Sequence, residues 1–201
     1  MGLYKYINNA WKKPTEQFNA LHRTRLIEWR REEATKRIDT PTRLDKARQL
    51  GYKAKTGYAI VRQRVDRGGR RRLKIRAGRK TKHARHLKIL HKNYQSVAEE
   101  RTGRKYPNME VLNSYFAGKD GLHYWYEVIL VDKQAPEILA DNRIAWIAGK
   151  QNRRRALRGL TASARRTRGL LHKGIGAEKL RPSRTAKTNR RYKRFHTSYQ
   201  F

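Results

Sequence analysis

A chain of 201 residues that carries 51 lysines and arginines against 16 aspartates and glutamates has a formal charge of +35. Charge of one sign at that density opposes compaction, because each cation brought nearer another raises the free energy of the folded state. A polyanion relieves the repulsion, and the cellular polyanions on that scale are nucleic acid and anionic membrane. The membrane alternative fails on length: the longest unbroken apolar run is the five residues 144–148, and a spanning helix needs about 20. The opening MGLYKYINNAWKK has no apolar secretion segment, and Tyr6 stands where myristoylation wants Ser or Thr, so the chain is expected to stay inside the cell. The absence of cysteine removes disulfides, thiolate nucleophiles and Cys-based zinc sites.

The charge is unevenly placed. Residues 1–92 hold 28 basic and 7 acidic residues, 93–141 hold 5 and 8, and 142–201 hold 18 and 1, giving +21, −3 and +17. A mildly acidic, apolar-rich middle between basic arms is the pattern of a small core whose extensions lie on phosphates. The organisation expected is an N-terminal helix and basic loop over 1–57, an α+β core with a basic hairpin over 58–149, and a basic C-terminal extension over 150–201. Residues 153–201 carry 16 cations, one acid and few apolar groups, so they are expected to order only on nucleic acid, leaving a folded core if the chain is cut after Gly149.

Local patterns fill in the elements. Thr15 as cap, Glu16 at the positive end, and Phe18, Leu21, Leu26 and Trp29 in one stripe predict a helix over 15–34. A short helical turn is expected at 43–49 within a loop marked by Pro41, Gly51 and Gly57. Tyr58 to Val65, then Asp66-Arg67-Gly68-Gly69, then Leu73 and Ile75, reads as a basic hairpin. Leu87, Leu90, Tyr94, Val97 and Ala98 share a helical face over 84–101, with Arg85, Lys88 and Lys92 opposite and Gly103 at the C-terminal stop. Met109 to Ala117 and Leu122 to Val131 read as strands joined through Asp120-Gly121. Strict alternation sets Leu112 and Phe116 against Val111 and Tyr115, and apolar residues on both faces imply cover on both sides. Beyond Asn142, only 144–148 looks able to join the core.

Three basic stretches are candidate binding sites. The hairpin offers eight cations, Arg62, Arg64, Arg67, Arg70, Arg71, Arg72, Lys74 and Arg76, which repel one another unless a polyanion intervenes or the tip is simply solvated. Arg153, Arg154, Arg155, Arg158, Arg165, Arg166 and Arg168 flank the small residues Thr161 to Ala164, where Thr161 or Ser163 can cap a helix whose N-terminus takes phosphate; the alternative is a basic linker. In LGYKAKTGY at 50–58, Lys53 and Lys55 sit beside Tyr52 and Tyr58, suited equally to stacking on unpaired bases or to packing inside. His83, His86 and His91 are a poor metal site among Lys82, Arg85 and Lys88. Glu99-Glu100 is expected to end a helix in a loop-facing salt bridge, or to pair with Arg101 and Arg104, rather than to act as a general acid and base, and nucleotide-binding loops and HExxH are absent.

The runs LGYKAKTGY at 50–58, RGGRRR at 67–72, SVAEERTGR at 96–104, VLNSYF at 111–116, YEVILVD at 126–132 and RGLTASARRTRGL at 158–170, in that order, resemble the archaeal and eukaryotic large-subunit ribosomal protein L-fifteen-e family, with the archaeal branch closer. The resemblance implies an α+β core of four antiparallel strands with packed helices. It also implies a structural, non-enzymatic role in translation, bound to large-subunit rRNA beside neighbouring ribosomal proteins in the cytoplasm. No cofactor or small-molecule substrate is expected, and magnesium would enter only as a structural ion of the rRNA. The alternatives are an RNA-processing enzyme, which lacks clustered carboxylates, and a chromatin-type DNA binder, which lacks the usual modules.

Overall fold

The two most apolar segments pair at the centre of the molecule in a computed structural model that describes residues 2–71, 76–79 and 87–172, with positions 174, 175, 177, 178, 180 and 188. Strands β5 (Met109–Lys119) and β6 (His123–Asp132) form an antiparallel hairpin, as expected. The Asp120 carboxylate closes its turn by accepting the backbone N–H groups of Leu122 and His123. Strand β2 (Tyr58–Asp66) lies on the other side of β6, and a short strand β1 (Thr35–Ile38) completes the sheet in the order β1-β2-β6-β5, all antiparallel. This is the α+β class with a four-stranded sheet.

The strand expected at 73–75, with its pairing to β2, lies outside the described residues. Among the described residues β2 is flanked by β1 and β6, and strand β3 (Arg70–Arg71) pairs with β4 (Leu87–Lys88) in a separate two-stranded ribbon. Arg72, Lys74 and the rest of 72–75 lie outside the described residues, as do 80–86 with Arg85, His83 and His86.

Helix α4 (Tyr94–Lys105) begins ten residues after the expected start. Asn93 sets its first turn by accepting the Ser96 N–H at 2.7 Å, a cap that offsets an otherwise unpaired amide. Gly103 lies inside the helix rather than after it, facing Val111, where an added Cβ would make ordinary contact at 3.6 Å. Helix α1 (Leu3–Lys12), not expected from the sequence, precedes α2 (Glu16–Arg31), whose cap Thr15 accepts the Phe18 N–H. Helix α3 (Leu44–Gln49) falls where a short turn is expected.

Both sheet faces are covered. Val61, Val111, Val128 and Leu130 pack with Ala59 and Ala156 on the α4 side. Ile60, Tyr115 and Ile129 pack with Ala47 and Tyr52 on the other. Val131 continues that side onto Ile138 of α5 (Pro136–Leu139) and onto Ile144 and Ile147, within a 3₁₀ turn at 145–148 and its cap. Register shifts at Val111/Asn113 and Phe116/Gly118 overturn strict alternation: Leu112 joins Tyr115's cluster, while Phe116 meets Tyr124 and Tyr126. An extra residue at a bulge reverses the face of everything after it. At the second shift α2 presses on Gly118, where a Cβ would lie 3.0 Å from both His22 and Leu26.

The core also extends past residue 148. Ala156, Thr161, Ser163 and Ala164 are buried. Helix α6 (Ala162–Thr167) is clamped to α4 by polar side chains. The Ser163 hydroxyl donates to Asn93 Oδ1 at 2.9 Å and lies 2.9 Å from Ser96 Oγ. Glu99 accepts from the hydroxyls of both Ser114 and Thr161. Part of the expected extension is therefore core.

Candidate nucleic-acid interface

The cations fall into two populations, set by where the few carboxylates and free carbonyls lie. The first is internal. Arg62, projecting from β2 with its side chain 9% exposed, donates to Glu32 at 2.6 Å and holds its guanidinium 4.3 Å from the centre of the Trp29 ring. Burial acts to raise the Glu32 pKa, but hydrogen bonds from Lys36 and Arg62 outweigh it and hold the group below its ordinary value. Arg155 donates to the carbonyls of Val111 and Leu112 at 2.7 and 2.6 Å, at the bulge where the strand ladder is interrupted, and lies over Trp146. Burial lowers its pKa from the ordinary arginine value, against the pull of Glu99 and Glu110.

Lys53 and Lys55 converge on one carboxylate oxygen of Asp141, at 2.6 and 3.0 Å, and hydrogen bonds from both hold that carboxyl well below the usual range. Tyr52 is buried and meets Tyr58 edge to face at 6.0 Å, and burial raises the Tyr58 pKa. Of the two readings open for this segment, packing is the one realised. Arg64 is half-buried and donates to the Arg30 carbonyl at 2.8 Å.

Glu99 corrects another expectation. It is 1% exposed and faces the interior, where burial raises its pKa above the ordinary value against hydrogen bonds from Ser114 and Thr161; Glu100 is the surface partner, 2.7 Å from Lys92. Thr161 does cap α6, accepting the Ala164 N–H at 3.4 Å, but the cap is fully buried against Glu99. The N-terminus of α6 is turned inward and offers no phosphate site. Glu127, also fully buried, accepts from Tyr115 and from the N–H and hydroxyl of Thr42.

The second population is exposed. Arg67 caps the turn with a bond to the Asp120 carbonyl and lies over Tyr124. In the β3-β4 ribbon Arg70, half-buried, stands directly opposite exposed Lys88, with exposed Arg71 beside them, and exposed Arg76 and Arg79 follow in the sequence. None of these five side chains has a hydrogen-bond or ion-pair partner among the described residues. On the C-terminal side Arg153, Arg154, Arg158, Arg165, Arg166 and Arg168 are exposed. Glu110 fixes the backbone N–H of Arg154, which has a positive φ of 53°, and Arg158 and Arg168 brace carbonyls of their own loop. Outside the basic runs, Arg25, Arg37 and Lys36, the last paired with Glu32 at 2.8 Å, line a polar groove of about 410 Å³ between α2 and β1 together with the carboxylates Glu28 and Asp39. Their sequence signal is only scattered charge, and the strand at 35–38 that gathers them is too short to stand out.

A mixed core whose buried carboxylates are held by hydroxyl and amide donors, beneath a surface rich in exposed arginines, defines the class: a strongly basic α+β protein. The comparisons narrow the class. The sequence model of the family described as Ribosomal L15 matches residues 2–187. The large ribosomal subunit protein eL15 of Methanocorpusculum labreanum is 49% identical over 189 residues, 93% of this chain and 96% of that protein. The eL15 proteins of Picrophilus torridus and Nanoarchaeum equitans are each 47% identical, over 90% and 92% of this chain and 93% and 98% of theirs. The chain belongs to the ribosomal L15 family of L-fifteen-e type.

Proposed function

We propose that this chain is a structural constituent of the large ribosomal subunit, working in the cytoplasm, where it binds and stabilises folded rRNA through Arg and Lys contacts to phosphate and so supports translation. The observation that carries the reading is the β3-β4 ribbon. Like charges directly across a strand pair are destabilising, so Arg70 opposite Lys88, with Arg71 next to it and no carboxylate on any of the three among the described residues, is an arrangement that an external anion stabilises. Guanidinium forks suit phosphate oxygens. The exposed arginines at 153, 154, 158, 165, 166 and 168 extend the same surface chemistry, while Arg62, Arg155, Lys53 and Lys55 hold the scaffold that displays it. The buried carboxylates Glu99 and Glu127 are occupied by hydroxyl and amide donors, which fits a scaffold rather than an enzyme, and no cofactor belongs to the reading beyond magnesium carried by the rRNA.

The test is sedimentation of the tagged chain from its own cells. Co-migration with large subunits, with release only at high salt, is expected. Migration with DNA or as free protein would overturn the assignment.

A further inference from the structure

A groove of about 580 Å³ runs between α1, the first half of α2 and the edge strand β5, and nothing in the electrostatic account above uses it. Its walls hold four rings. Trp11, Phe18 and His22 meet with centroids 5.0 to 6.4 Å apart and planes 74 to 87° from parallel, so none is stacked flat on another and ring faces remain for a further planar group. Phe116, opposite them on β5, is 40% exposed, and its neighbours Tyr124 and Tyr126 approach it edge-on.

The polar lining is one-sided. Arg23, Arg43 and Lys119 contribute three cations, and no carboxylate lines the groove. The side chains of Arg23 and Lys119 have no hydrogen-bond or ion-pair partner among the described residues. Arg43 is paired through one terminal nitrogen with Asp45 at 3.3 Å and lies over Trp11 at 4.6 Å, while its Nε, like Nδ1 of His22, is a buried polar atom without a hydrogen-bond partner. Two unsatisfied nitrogens in an aromatic wall call for a ligand with polar edges.

Resting on the rRNA-binding reading, we propose that this groove holds one unpaired RNA nucleobase, with its flanking phosphate on Arg23 and Lys119. A base supplies in one ligand what the groove lacks: a flat π-face for Phe116 and Trp11, edge donors and acceptors for His22 and Arg43, and an anion for the two free cations. A base in a duplex cannot serve, because its faces and pairing edge are taken. An acidic peptide would satisfy the cations and leave the rings without a planar partner.

The full chain is titrated at one salt concentration with two blunt-ended RNA duplexes of equal phosphate number, one fully paired and one carrying a single bulged 2-aminopurine. The bulged duplex binds about tenfold more tightly, the scale of one base–aromatic stack, and the fluorescence of the 2-aminopurine changes on binding. Phe116→Leu and Trp11→Leu, which keep apolar bulk and remove the ring, bring the ratio toward one with paired-duplex affinity unchanged. Arg23→Gln with Lys119→Gln, at exposed positions without a folding role, weakens the bulged duplex more than the paired one. Equal affinity of the wild type for both duplexes, or a tenfold ratio untouched in every variant, overturns the groove assignment and leaves RNA binding standing. Failure to bind either duplex overturns both readings.

Discussion

Glu32 and Glu99 are carboxylates under opposite constraints, and their titrations should pull stability in opposite directions. Glu32 has charged donors in Lys36 and Arg62 that hold its folded pKa below the unfolded value. Its contribution is therefore present above the unfolded Glu value of about 4.3 and is lost as pH falls through the lower folded value. Among the described residues Glu99 has the Ser114 and Thr161 hydroxyls as its direct donors in a buried site, and burial raises its folded pKa. Its contribution is fully present below about 4.3 and is lost as pH rises through the higher folded value. Urea unfolding of the wild type against Glu32→Gln and Glu99→Gln across about pH 2 to 8 should give a stability difference that grows with pH below about 5 for the first and one that shrinks with pH above about 4 for the second. Parallel pH dependences would show that the two sites are not so opposed. At the packing level, Leu130 is fully buried between Val111, Val128 and Ala156. Leu130→Ala should cost about 2–5 kcal/mol, the transfer and cavity cost of a buried leucine. Gly118→Ala would force a methyl within 3.0 Å of His22 and Leu26 and should cost about 1–3 kcal/mol through overpacking. Both are read from denaturant midpoints.

At the scale of elements, the C-terminal segment carries the sharpest consequence. The carbonyls of Val111 and Leu112, freed by the β5 bulge, are satisfied by Arg155, and Glu99 is satisfied in part by Thr161. Cutting the chain after Gly149 removes these donors together with Ala156, and should abolish cooperative unfolding; cutting after Leu171 should preserve it. Circular dichroism melts of the two truncations decide the point. The sequence conceals this because the donors are arginine and threonine in a basic, small-residue run, and the acceptors they serve lie more than 40 residues away. The β5-β6 hairpin, by contrast, is legible from its apolar alternation and Asp-Gly turn alone. Helix α4 is half legible: Leu87 and Leu90 keep helical phase with Tyr94 and Val97, so periodicity cannot mark the start, and only the Asn93 cap does. The bulges that exchange the faces of Leu112 and Phe116 leave no trace in an alternating pattern. In the ribbon the binding residues are legible as charge while their geometry is not, because Arg70 finds Lys88 across a segment of basic residues rather than β2. Arg70→Gln with Arg71→Gln should weaken rRNA binding and leave the melting temperature unchanged or slightly higher, since it removes a like-charge pair from the free protein. A large loss of stability would place the ribbon in the core.

For the whole molecule, the division of cations into internal and exposed sets makes salt dependence and stability separable. Each phosphate contact releases counterions, so if about 10 of the 51 basic residues meet phosphates, log K should fall against log salt with a slope of about −7 to −9. A slope near −2 would mean that the exposed arginines do not form one extended surface. The internal set should leave that slope alone. Arg62→Gln strands Glu32 with a weaker partner and uncovers Trp29, so it should cost about 1–3 kcal/mol of stability, the scale of a lost charge-assisted hydrogen bond, with the slope of the remaining folded protein unchanged. Arg153→Gln with Arg166→Gln, both exposed, should do the reverse, making the slope shallower by about one for each residue that meets a phosphate with the unfolding midpoint unmoved. Binding isotherms at several salt concentrations, set beside denaturant melts of the same variants, measure both quantities independently. A variant that moved both together would show that its arginine belongs to the scaffold and to the RNA surface at once, and the two populations would then be one.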